Sequence, residues 1–503
     1  MKRILSFFFC LGCLLSLFAQ TPKREFRGAW IQCVNGQWQG LPAETMQRTL
    51  RSQLDELQRC GINAIMFQVR AEGDALYESQ YEPWSRYLTG QQGKAPSPYW
   101  DPLAWMVEEC HKRSMELHAW INPFRAKTKG TTSLATTHQA VQHPELCFNY
   151  DGLMIFDPAY DVNQNYICQI ARDIVHRYDV DGLHIDDYFY PYPAAGAEMR
   201  DYEGLRQAQT NCSPQETADR RRAHVNHFIE KLSRAVKEEK PWVKFGVSPF
   251  GIYHNMKTRS SQVPGSTTNG LQNYDDLYAD ILLWMERGWL DYNIPQIYWE
   301  IGNKAADYDT LIRWWSTVHR DLHAPHPCLL YIGQDVERTV KFPDLKNPQM
   351  HQMPAKYFLQ RSLPAIDGSC QWYAKAVCNN PGRYADMLKN NYHAKPALQP
   401  RMPWIDKKAP KKPTKPAIVT TSDGPTLMWT APKARKPMDE AAGYAVYRFN
   451  PGEKVNCSDA SHLVTVVRNP YYVLPLDIED KTVFAITALD RLHNESKPVK
   501  VKF

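Results

Sequence analysis

The residues best suited to chemistry lie in the run from Asp181 to Pro191, whose apolar part ends in two consecutive aspartates. The alternation of a β-strand places His184 and Asp186 on the face opposite to the intervening apolar side chains. Burying a lone carboxylate costs free energy, so an inward carboxylate at the end of a strand favours an active-site role. We therefore predict Asp186 as the reacting carboxylate and Asp187 as a further candidate. The alternative is that either aspartate pairs with Arg70 or caps the next loop.

Acid-base cleavage of a glycosidic bond requires a second carboxyl group that protonates the leaving oxygen. Glu300 directly follows a strand-like run that ends at Trp299. We expect partial burial beside Trp299 to raise the pKa of Glu300 and to keep it protonated. Asp74 is the competing donor, although nearby Arg70 is expected to lower its pKa. A surface-loop role is the alternative for Glu300.

Polar and aromatic side chains recur at alternate positions near the ends of several other strand-like runs. Aromatic faces and polar tips suit the C–H faces and hydroxyl groups of a sugar. An internal polar network that only holds the fold together is the alternative. The predicted substrate-binding residues are Arg70, Glu72, His118, Trp120, Asn122, Arg125, His184, Tyr190, Ser248, Gln296, Tyr298, Tyr331 and Trp372.

The elements that must position these residues are strands and helices in strict alternation over about residues 25–393. Eight apolar runs alternate with amphipathic stretches of helical period, which predicts a (β/α)8 TIM barrel. An open doubly wound sheet is the alternative, but the sequence has no Gly-rich nucleotide turn. The predicted strands are Arg27–Gln32, Ala64–Arg70, Glu116–Phe124, Gly182–Tyr190, Lys244–Tyr253, Tyr292–Trp299, Cys328–Gly333 and Ser369–Ala376. The predicted helices are Ala43–Cys60, Pro102–Arg113, Val162–Tyr178, Glu216–Glu239, Tyr274–Arg287, Tyr308–His319, Ala355–Leu363 and Gly382–Asn391.

The chain beyond the barrel divides into two further parts. Residues 394–416 are rich in Pro and Lys and are interpreted as a linker. Residues 417–503 contain short alternating runs between turn residues, which predicts a small all-β sandwich. Three of these runs resemble a fibronectin type III module, with Phe484 at the position of the usual tyrosine. Such a module is a spacer or a docking unit for a partner.

The first 19 residues have the character of an export signal, with Lys2 and Arg3 before an apolar run and Ala19 at the cleavage end. The alternative is a lipoprotein site at Leu11-Gly12-Cys13. No later run approaches the length of a membrane span. The sequence therefore predicts a protein of the periplasm or the cell surface.

The charge balance and the motif search exclude other classes. The 60 Lys and Arg residues against 54 Asp and Glu give a net charge of +6 spread over the chain, so no nucleic-acid partner is indicated. Walker loops and Gly-x-Ser-x-Gly elbows are missing from the sequence. His319, His323 and His326 lie on or just after a predicted helix that precedes the seventh strand, at the wrong end of a barrel for chemistry, so no metal site and no cofactor are predicted.

Five long motifs resemble the bacterial glycosyl-hydrolase-like family ten. The resemblance implies a TIM-barrel glycosidase of the cell envelope with peptidoglycan glycan strands as the leading substrate class. The run that ends at Asp186 is also similar to the fourth strand of α-amylase-type barrels, which implies a nucleophile at Asp186. The acid on strand five of those barrels has no counterpart here. The motifs are Glu82 to Ser85 with Leu88 to Gly90, Leu117 to Arg125, Asp181 to Pro191, Ser248 to Gly251, and Pro295 to Trp299.

The sequence thus predicts an exported glycoside hydrolase that uses Asp186 as its reacting carboxylate and Glu300 or Asp74 as its proton donor. The retaining or inverting course stays open. The alternatives are a non-catalytic carbohydrate-binding scaffold and a glycosidase for another envelope or dietary glycan.

Overall fold

The computed structural model of the protein describes residues 22–258 and 263–503. In the described residues, eight parallel strands form a closed barrel in which each strand pairs with the next along the chain and β8 pairs with β1. The predicted (β/α)8 TIM barrel is therefore confirmed. The strands are β1 (Phe26–Ile31), β2 (Ala64–Arg70), β3 (Glu116–Ile121), β4 (Gly182–Ile185), β5 (Lys244–Val247), β6 (Tyr292–Asn293), β7 (Leu329–Asp335) and β8 (Gly368–Trp372).

Helices surround the barrel and bury apolar side chains against the outward faces of the strands. Their starts carry recognisable caps: the Asp101 side chain accepts the Ala104 N–H, and Ser213 and Glu216 form a reciprocal capping box. Shorter helices lie in the loops, for example Tyr202–Thr210 and Val336–Lys341. The main helices are α1 (Ala43–Arg59), α2 (Pro102–Lys112), α3 (Asp161–Arg177), α4 (Pro214–Glu239), α5 (Ile281–Glu286), α6 (Tyr308–Asp321), α7 (Met353–Ser362) and α8 (Ala374–Cys378).

Several strands end earlier than predicted, because their last residues leave the sheet to form the upper loops. β4 ends at Ile185, so Asp186 and Asp187 begin a loop, and β6 comprises only Tyr292–Asn293. A three-stranded antiparallel sheet in the loop after β3 was not predicted. It consists of Arg125–Lys127, Cys147–Tyr150 and Leu153–Phe156.

The interior of the barrel is filled by large aromatic side chains rather than by a pore. Phe26 stacks on Tyr331 with ring centres 3.9 Å apart, and Tyr292 lies beside them. Two glycines make this packing possible. A Cβ at Gly246 would lie 2.2 Å from the Tyr292 ring, and one at Gly182 would lie 2.4 Å from His118. The sequence thus reserves space inside the barrel for the rings of neighbouring strands.

The last part of the chain forms two antiparallel sheets, one of three strands and one of four. Leu427 and Trp429 of one sheet share a core with Tyr444 and Phe484 of the other. The predicted all-β sandwich is confirmed, and its assignment as a fibronectin type III module stays a prediction. The strands are β9 (Thr414–Thr421), β10 (Gly424–Thr430), β11 (Gly443–Phe449), β12 (Leu463–Val467), β13 (Tyr471–Val473), β14 (Val483–Leu489) and β15 (Val499–Lys502).

The sandwich and the segment before it pack against the amino end of the barrel. Leu398 pairs with Arg24, and Met402 is fully buried in the interior core of the barrel. Leu492 joins the same core from the turn formed by residues 490–494, which we call the plug turn. The segment interpreted as a linker is therefore partly a packed element.

Two further sequence predictions concern membranes and export. Across the described ranges, the helices are either too short or too polar to cross a bilayer. The predicted export signal lies outside the described residues.

Candidate active site

A cavity of about 660 Å³ opens at the carboxyl ends of the barrel strands. Its walls come from the loops after most of the strands, as expected for a TIM barrel. Eight of the predicted site residues line it. They are Trp120, Arg125, Asp186, Asp187, Ser248, Gln296, Tyr298 and Trp372.

Asp186 lies at the inner wall of this cavity, directly after β4, and is 5% exposed. Its Oδ2 accepts a hydrogen bond of 2.5 Å from Asn122 Nδ2. Its Oδ1 is buried and has no partner in the described residues. A buried carboxylate oxygen without a donor is costly for a folded protein, which marks this position as functional.

Asn122 is held by its neighbours so that its amide nitrogen faces Asp186. Its Oδ1 accepts hydrogen bonds from Gln68 Nε2 at 2.6 Å and from Arg125 Nη2 at 2.7 Å. Gln68 is itself fixed, because its Oε1 accepts the backbone N–H groups of Cys33 and Val34. This network determines the orientation of the Asn122 amide and hence which atom meets Asp186.

Asp187 lies beside Asp186 in the cavity lining, and its Oδ2 accepts the hydroxyl of Tyr192. Burial and the neighbouring Asp187 carboxylate raise the pKa of Asp186, against the opposing effect of Arg125. Burial also raises the pKa of Asp187, although the hydrogen bond from Tyr192 opposes the shift. The pair therefore keeps a proton at higher pH than an isolated aspartate does, and it offers an acid and a carboxylate side by side.

Four aromatic rings form the floor of the cavity, and we call them the aromatic cup: Trp30, Trp120, Tyr298 and Trp372. The Trp372 ring centre lies 6.1 Å from Trp30, 6.3 Å from Trp120 and 6.1 Å from Tyr298. Trp120 Nε1 is buried without a partner among the described residues. The cup presents apolar faces and the Nε1–H group of Trp120 to a ligand.

A column of hydrogen bonds runs from the cup down the barrel axis. Trp30 Nε1 and Ser248 Oγ meet His184 Nε2 at 3.1 and 3.0 Å. His184 Nδ1 lies 3.2 Å from the Tyr292 hydroxyl, which lies 2.8 Å from His118 Nδ1. Burial lowers the pKa of His184 far below its ordinary value, so its ring is neutral. His184 thus fixes the floor of the cavity.

Comparison with known proteins identifies the family. The sequence profile described as glycosyl hydrolase-like 10 matches residues 25–352. The chain belongs to the glycosyl hydrolase-like 10 family. This membership confirms the predicted family and the predicted enzyme class, a glycoside hydrolase.

Two glycosyl hydrolases and one solved structure resemble the chain to different extents. Glycosyl hydrolase YngK of Bacillus subtilis (strain 168) is 37% identical over 484 residues, which cover 95% of this chain and 93% of YngK. Glycosyl hydrolase DigH of Escherichia coli (strain K12) is 37% identical over 335 residues, covering 62% of this chain and 74% of DigH. The glycoside hydrolase domain of PgaB (BpsB) from Bordetella bronchiseptica is 12% identical with a TM-score of 0.46, covering 73% of this chain and 99% of that domain.

The structure places Glu300 outside the cavity of this glycosyl hydrolase-like 10 barrel. Its carboxylate accepts hydrogen bonds from Arg338 Nε at 2.9 Å and from Asn303 Nδ2 at 2.7 Å. Burial opposes the charge of Glu300, but these donors outweigh it and lower the pKa. The expected rise in pKa was wrong, because a cation that is distant in sequence compensates the carboxylate.

Asp74, Glu72 and Arg70 are buried behind the cavity wall. Burial and Glu72 raise the pKa of Asp74, so the expected lowering by Arg70 was wrong. Arg70 instead pairs with Glu82 at 2.7 Å, with both side chains fully buried. Glu72 accepts a hydrogen bond of 2.9 Å from Arg86 Nε, and Arg86 lines the cavity. Glu72 is therefore placed to orient a cavity residue rather than to face the cavity.

Three other predicted substrate-binding residues do not line the cavity either. His118 and Tyr331 face the interior, but they lie in its amino half, because β7 continues to Asp335 beyond Tyr331. Tyr190 is fully buried in the outer core beside Tyr278. The strand alternation had ended at Ile185, so it could not be extended to Tyr190.

Several cavity residues were not predicted. Trp30 faces inward on β1, and Tyr188 and Tyr192 follow the aspartate pair in the same loop. The alternation of β1 and the aromatic character of that loop are signals that could have identified them. Others come from loops without a periodic pattern, namely Val34, Asn35, Gly36, Gln39, Arg86, Tyr87, Thr128 and Gly130. Over residues 22–258 and 263–503, no group of three or more His, Cys, Asp or Glu side chains is arranged to hold a metal ion.

Proposed function

We propose that the protein is an exported glycosidase that hydrolyses the glycan strands of peptidoglycan with the Asp186 and Asp187 pair. The observation that carries the proposal is the Oδ1 atom of Asp186, which is buried without a partner among the described residues in a cavity with an aromatic floor. A carboxylate in this position is available to a substrate, and the aromatic cup is available to the C–H face of a sugar ring.

The charges around the cavity support a glycan that carries carboxylate groups. The guanidinium groups of Arg86 and Arg125 line the cavity. N-acetylmuramic acid carries a lactyl carboxylate, which guanidinium groups bind well. Peptide-free strands of peptidoglycan offer this carboxylate in every second sugar, whereas peptide-bearing strands hold it in an amide bond and neutral glycans offer none.

Hydrolysis at this pair follows from the two neighbouring carboxyl groups. One of them, still protonated, donates its proton to the oxygen of the leaving sugar, and the other remains a carboxylate that stabilises positive charge at the reacting sugar. Burial of both groups strengthens these interactions because water screens them less. Tyr192 and Asn122 keep the two carboxyl groups in position.

Turnover tests the proposal. The full-length protein is incubated with purified glycan strands, either peptide-free or peptide-bearing, and new reducing ends are measured. We expect reducing ends with the wild type and with Glu300→Gln, because Glu300 lies outside the cavity, and none above background with Asp186→Asn. Binding of the strands without new reducing ends would contradict the proposal and would support a non-catalytic carbohydrate-binding scaffold.

The export of the protein and the role of its sandwich belong to the same proposal. The resemblance of residues 1–19 to an export signal supports a location in the periplasm or at the cell surface. The fibronectin-like runs support a docking role for the sandwich. Cell fractionation tests the location, and recovery of the protein only in the cytoplasm would contradict it.

A further inference from the structure

The carboxyl groups of the cavity lie on one wall. Asp186 and Asp187 are consecutive residues of the loop after β4, and the described residues add no other carboxylate to the lining. The facing parts of the cavity come from the loop after β1 and from the end of β8, and they carry Asn35 and Trp372. A glycosidase that works with two enzyme carboxylates holds them on either side of the bond, about 5 to 9.5 Å apart. Among the described residues, this cavity has no carboxylate on the side that faces Asp186 and Asp187.

The acidic residues closest in sequence to the cavity walls cannot fill this role, because each is already bound. Glu300 is paired with Arg338 at 2.9 Å. The Glu72 carboxylate accepts hydrogen bonds from Arg86 Nε and from the hydroxyl of Thr131. Asp74 is fully buried and accepts Gln92 Nε2 at 3.1 Å. Asp335, the last residue of β7, lies beside Trp372 but accepts the backbone N–H of Arg338 as a helix cap and does not line the cavity. With these carboxylates engaged, the substrate is the remaining source of the nucleophile.

We propose that the substrate supplies the nucleophile. The protein cleaves glycans of 2-acetamido sugars, and the carbonyl oxygen of the acetamido group attacks the anomeric carbon. The inference rests on the proposed function and adds the sugar class and the course of the reaction. It assigns Asp186 as the acceptor of the acetamido N–H and Asp187 as the proton donor to the leaving oxygen.

The contacts of the two aspartates carry this assignment. Asp186 Oδ2 accepts Asn122 Nδ2, and its Oδ1, which has no partner among the described residues, can accept an amide N–H. Asp187 has partners of its own, because its Oδ2 accepts the Tyr192 hydroxyl and Gln296 contributes a second side-chain hydrogen bond. Asp186 therefore has the acceptor that an acetamido N–H needs, and Asp187 is the neighbouring carboxyl group that can donate the proton.

The aromatic cup has the chemistry that an acetamido group requires. Its methyl group is apolar and packs against ring faces, while its carbonyl and N–H need polar partners. Trp120 Nε1 is a buried donor without a partner, and Asp186 Oδ1 is a buried acceptor without a partner, among the described residues. Leaving a buried carboxylate oxygen without a donor costs more free energy than leaving an indole N–H without an acceptor. An acetamido group bound in the cup, with its N–H donated to Asp186 Oδ1, removes this larger cost.

The reaction balances without another group. In the first step the acetamido oxygen bonds to the anomeric carbon, the bond to the leaving oxygen breaks, and Asp187 gives its proton to that oxygen. The product is an oxazolinium ion whose charge the Asp186 carboxylate stabilises. In the second step Asp187 takes a proton from water, and the water oxygen bonds to the anomeric carbon as the bond from that carbon to the acetamido oxygen breaks, which restores the acetamide. Two inversions give net retention.

Chemical modification of one substrate tests the inference. Glycan strands are N-deacetylated and then either re-N-acetylated or N-trifluoroacetylated, and the initial rate of new reducing ends is measured with the full-length protein. Fluorination weakens the carbonyl oxygen as a nucleophile with little change of shape, so we expect a rate at least about 100-fold lower than for the re-N-acetylated strands. NMR of the first product should show retention at the anomeric carbon.

The outcomes separate the inference from the proposed function. Equal rates on the two modified strands, or inversion, would overturn the inference while leaving the proposed function intact. If native strands are not cleaved, the proposed function fails, and binding of the thiazoline analogue of N-acetylglucosamine decides the inference. Saturable binding that Asp186→Asn abolishes and Glu300→Gln preserves supports it. A protein that does not bind the thiazoline overturns it.

Discussion

Each end of the barrel buries a carboxylate, but the two carboxylates differ in the number of their hydrogen-bond and ion-pair partners and in the direction of their pKa shifts. At the amino end, Glu116 contacts Lys244, His118 Nε2 at 3.0 Å and His493 Nε2 at 2.6 Å. Burial opposes its charge, but Lys244 and His493 outweigh burial and hold the pKa of Glu116 well below its ordinary value. At the carboxyl end, Asp186 has one hydrogen-bond donor among the described side chains, Asn122, and a raised pKa.

The difference separates a structural carboxylate from a functional one. Glu116 has a partner at both oxygens, and two of its partners belong to strands β3 and β5, so it ties the barrel together. Asp186 leaves one oxygen free of the described side chains and lies in the cavity. Burial is the same at both sites, so the number of donors, and not the depth, distinguishes them.

The largest expected effect is on activity at the carboxyl end. Asp186→Asn keeps the shape of the side chain and removes its charge, so the rate of glycan cleavage should fall by at least about 1,000-fold. The variant should remain folded, because the oxygen of the introduced amide can still accept the N–H of Asn122. Reducing-end assays with circular dichroism of the same sample measure both properties. Activity above about a tenth of the wild type would exclude Asp186 from the reaction.

The matching change at the amino end should affect stability instead. Glu116→Gln leaves Lys244 buried without a counter-charge, so the free energy of unfolding should fall by about 3 to 5 kcal/mol. The kcat of the folded fraction should stay within about a factor of three, since Glu116 lies at the opposite end from the cavity. Urea titration and steady-state kinetics measure the two quantities. A large loss of kcat without a loss of stability would erase the contrast between the two ends.

The pH dependence of stability should have opposite consequences for the two variants. The folded pKa of Glu116 is lowered, so its contribution is present above its unfolded pKa of about 4.3 and is lost as the pH falls further. The folded pKa of Asp186 is raised, so it destabilises the fold at neutral pH, and this cost disappears as the pH falls to its unfolded value of about 3.9.

Relative to the wild type, Glu116→Gln should therefore be less stable near pH 7, and Asp186→Asn should be more stable. Both differences should shrink towards about pH 3. Urea titrations of the three proteins at a series of pH values measure the differences. A stability difference of the same sign for both variants near pH 7 would contradict the pKa shifts from which this prediction comes.

A smaller effect is expected from the plug turn. His493→Ala removes one of the donors of Glu116, so the free energy of unfolding should fall by about 1 to 3 kcal/mol. Arg435→Ala, at a surface position in the sandwich, serves as the control. Thermal unfolding of both variants measures the change. An unchanged melting temperature for His493→Ala would mean that the plug turn does not support the barrel.

The smallest effect is expected at Glu300. Glu300→Gln should change the rate of glycan cleavage by less than about threefold, because Glu300 is bound to Arg338 outside the cavity. Kinetics on natural strands measure it. A loss of more than about 100-fold would return Glu300 to the role of proton donor that the sequence suggested.

The sequence predicted the barrel well because its signals are local. Strand and helix periods depend on residues a few positions apart, and they located α1, α6 and the inward face of Asp186. The partners of charged side chains are not local. The charge of Glu300 is balanced by Arg338, and that of Arg70 by Glu82. Strand and helix periodicity does not indicate that these residues meet in the fold.

The same reason explains the errors about the cavity. Tyr331 and Tyr190 were placed by extending a strand alternation without knowing where the strand ends. Asn35 and Arg86 come from loops that have no period. The packed part of residues 394–416 was missed because a Pro- and Lys-rich composition indicates a linker, while the burial of Met402 depends on the shape of the barrel end.

The plug turn also sets an order of events during synthesis. Leu492 and His493 complete the amino end of the barrel, yet they leave the ribosome about 120 residues after β8, which at 5 to 20 residues per second is a delay on the order of ten seconds. During that interval Glu116 and Lys244 lie at an end of the barrel that the sandwich does not yet cover. A nascent chain released before residue 493 therefore carries a closed barrel with an open base, and it is the form that a protease or a chaperone meets first.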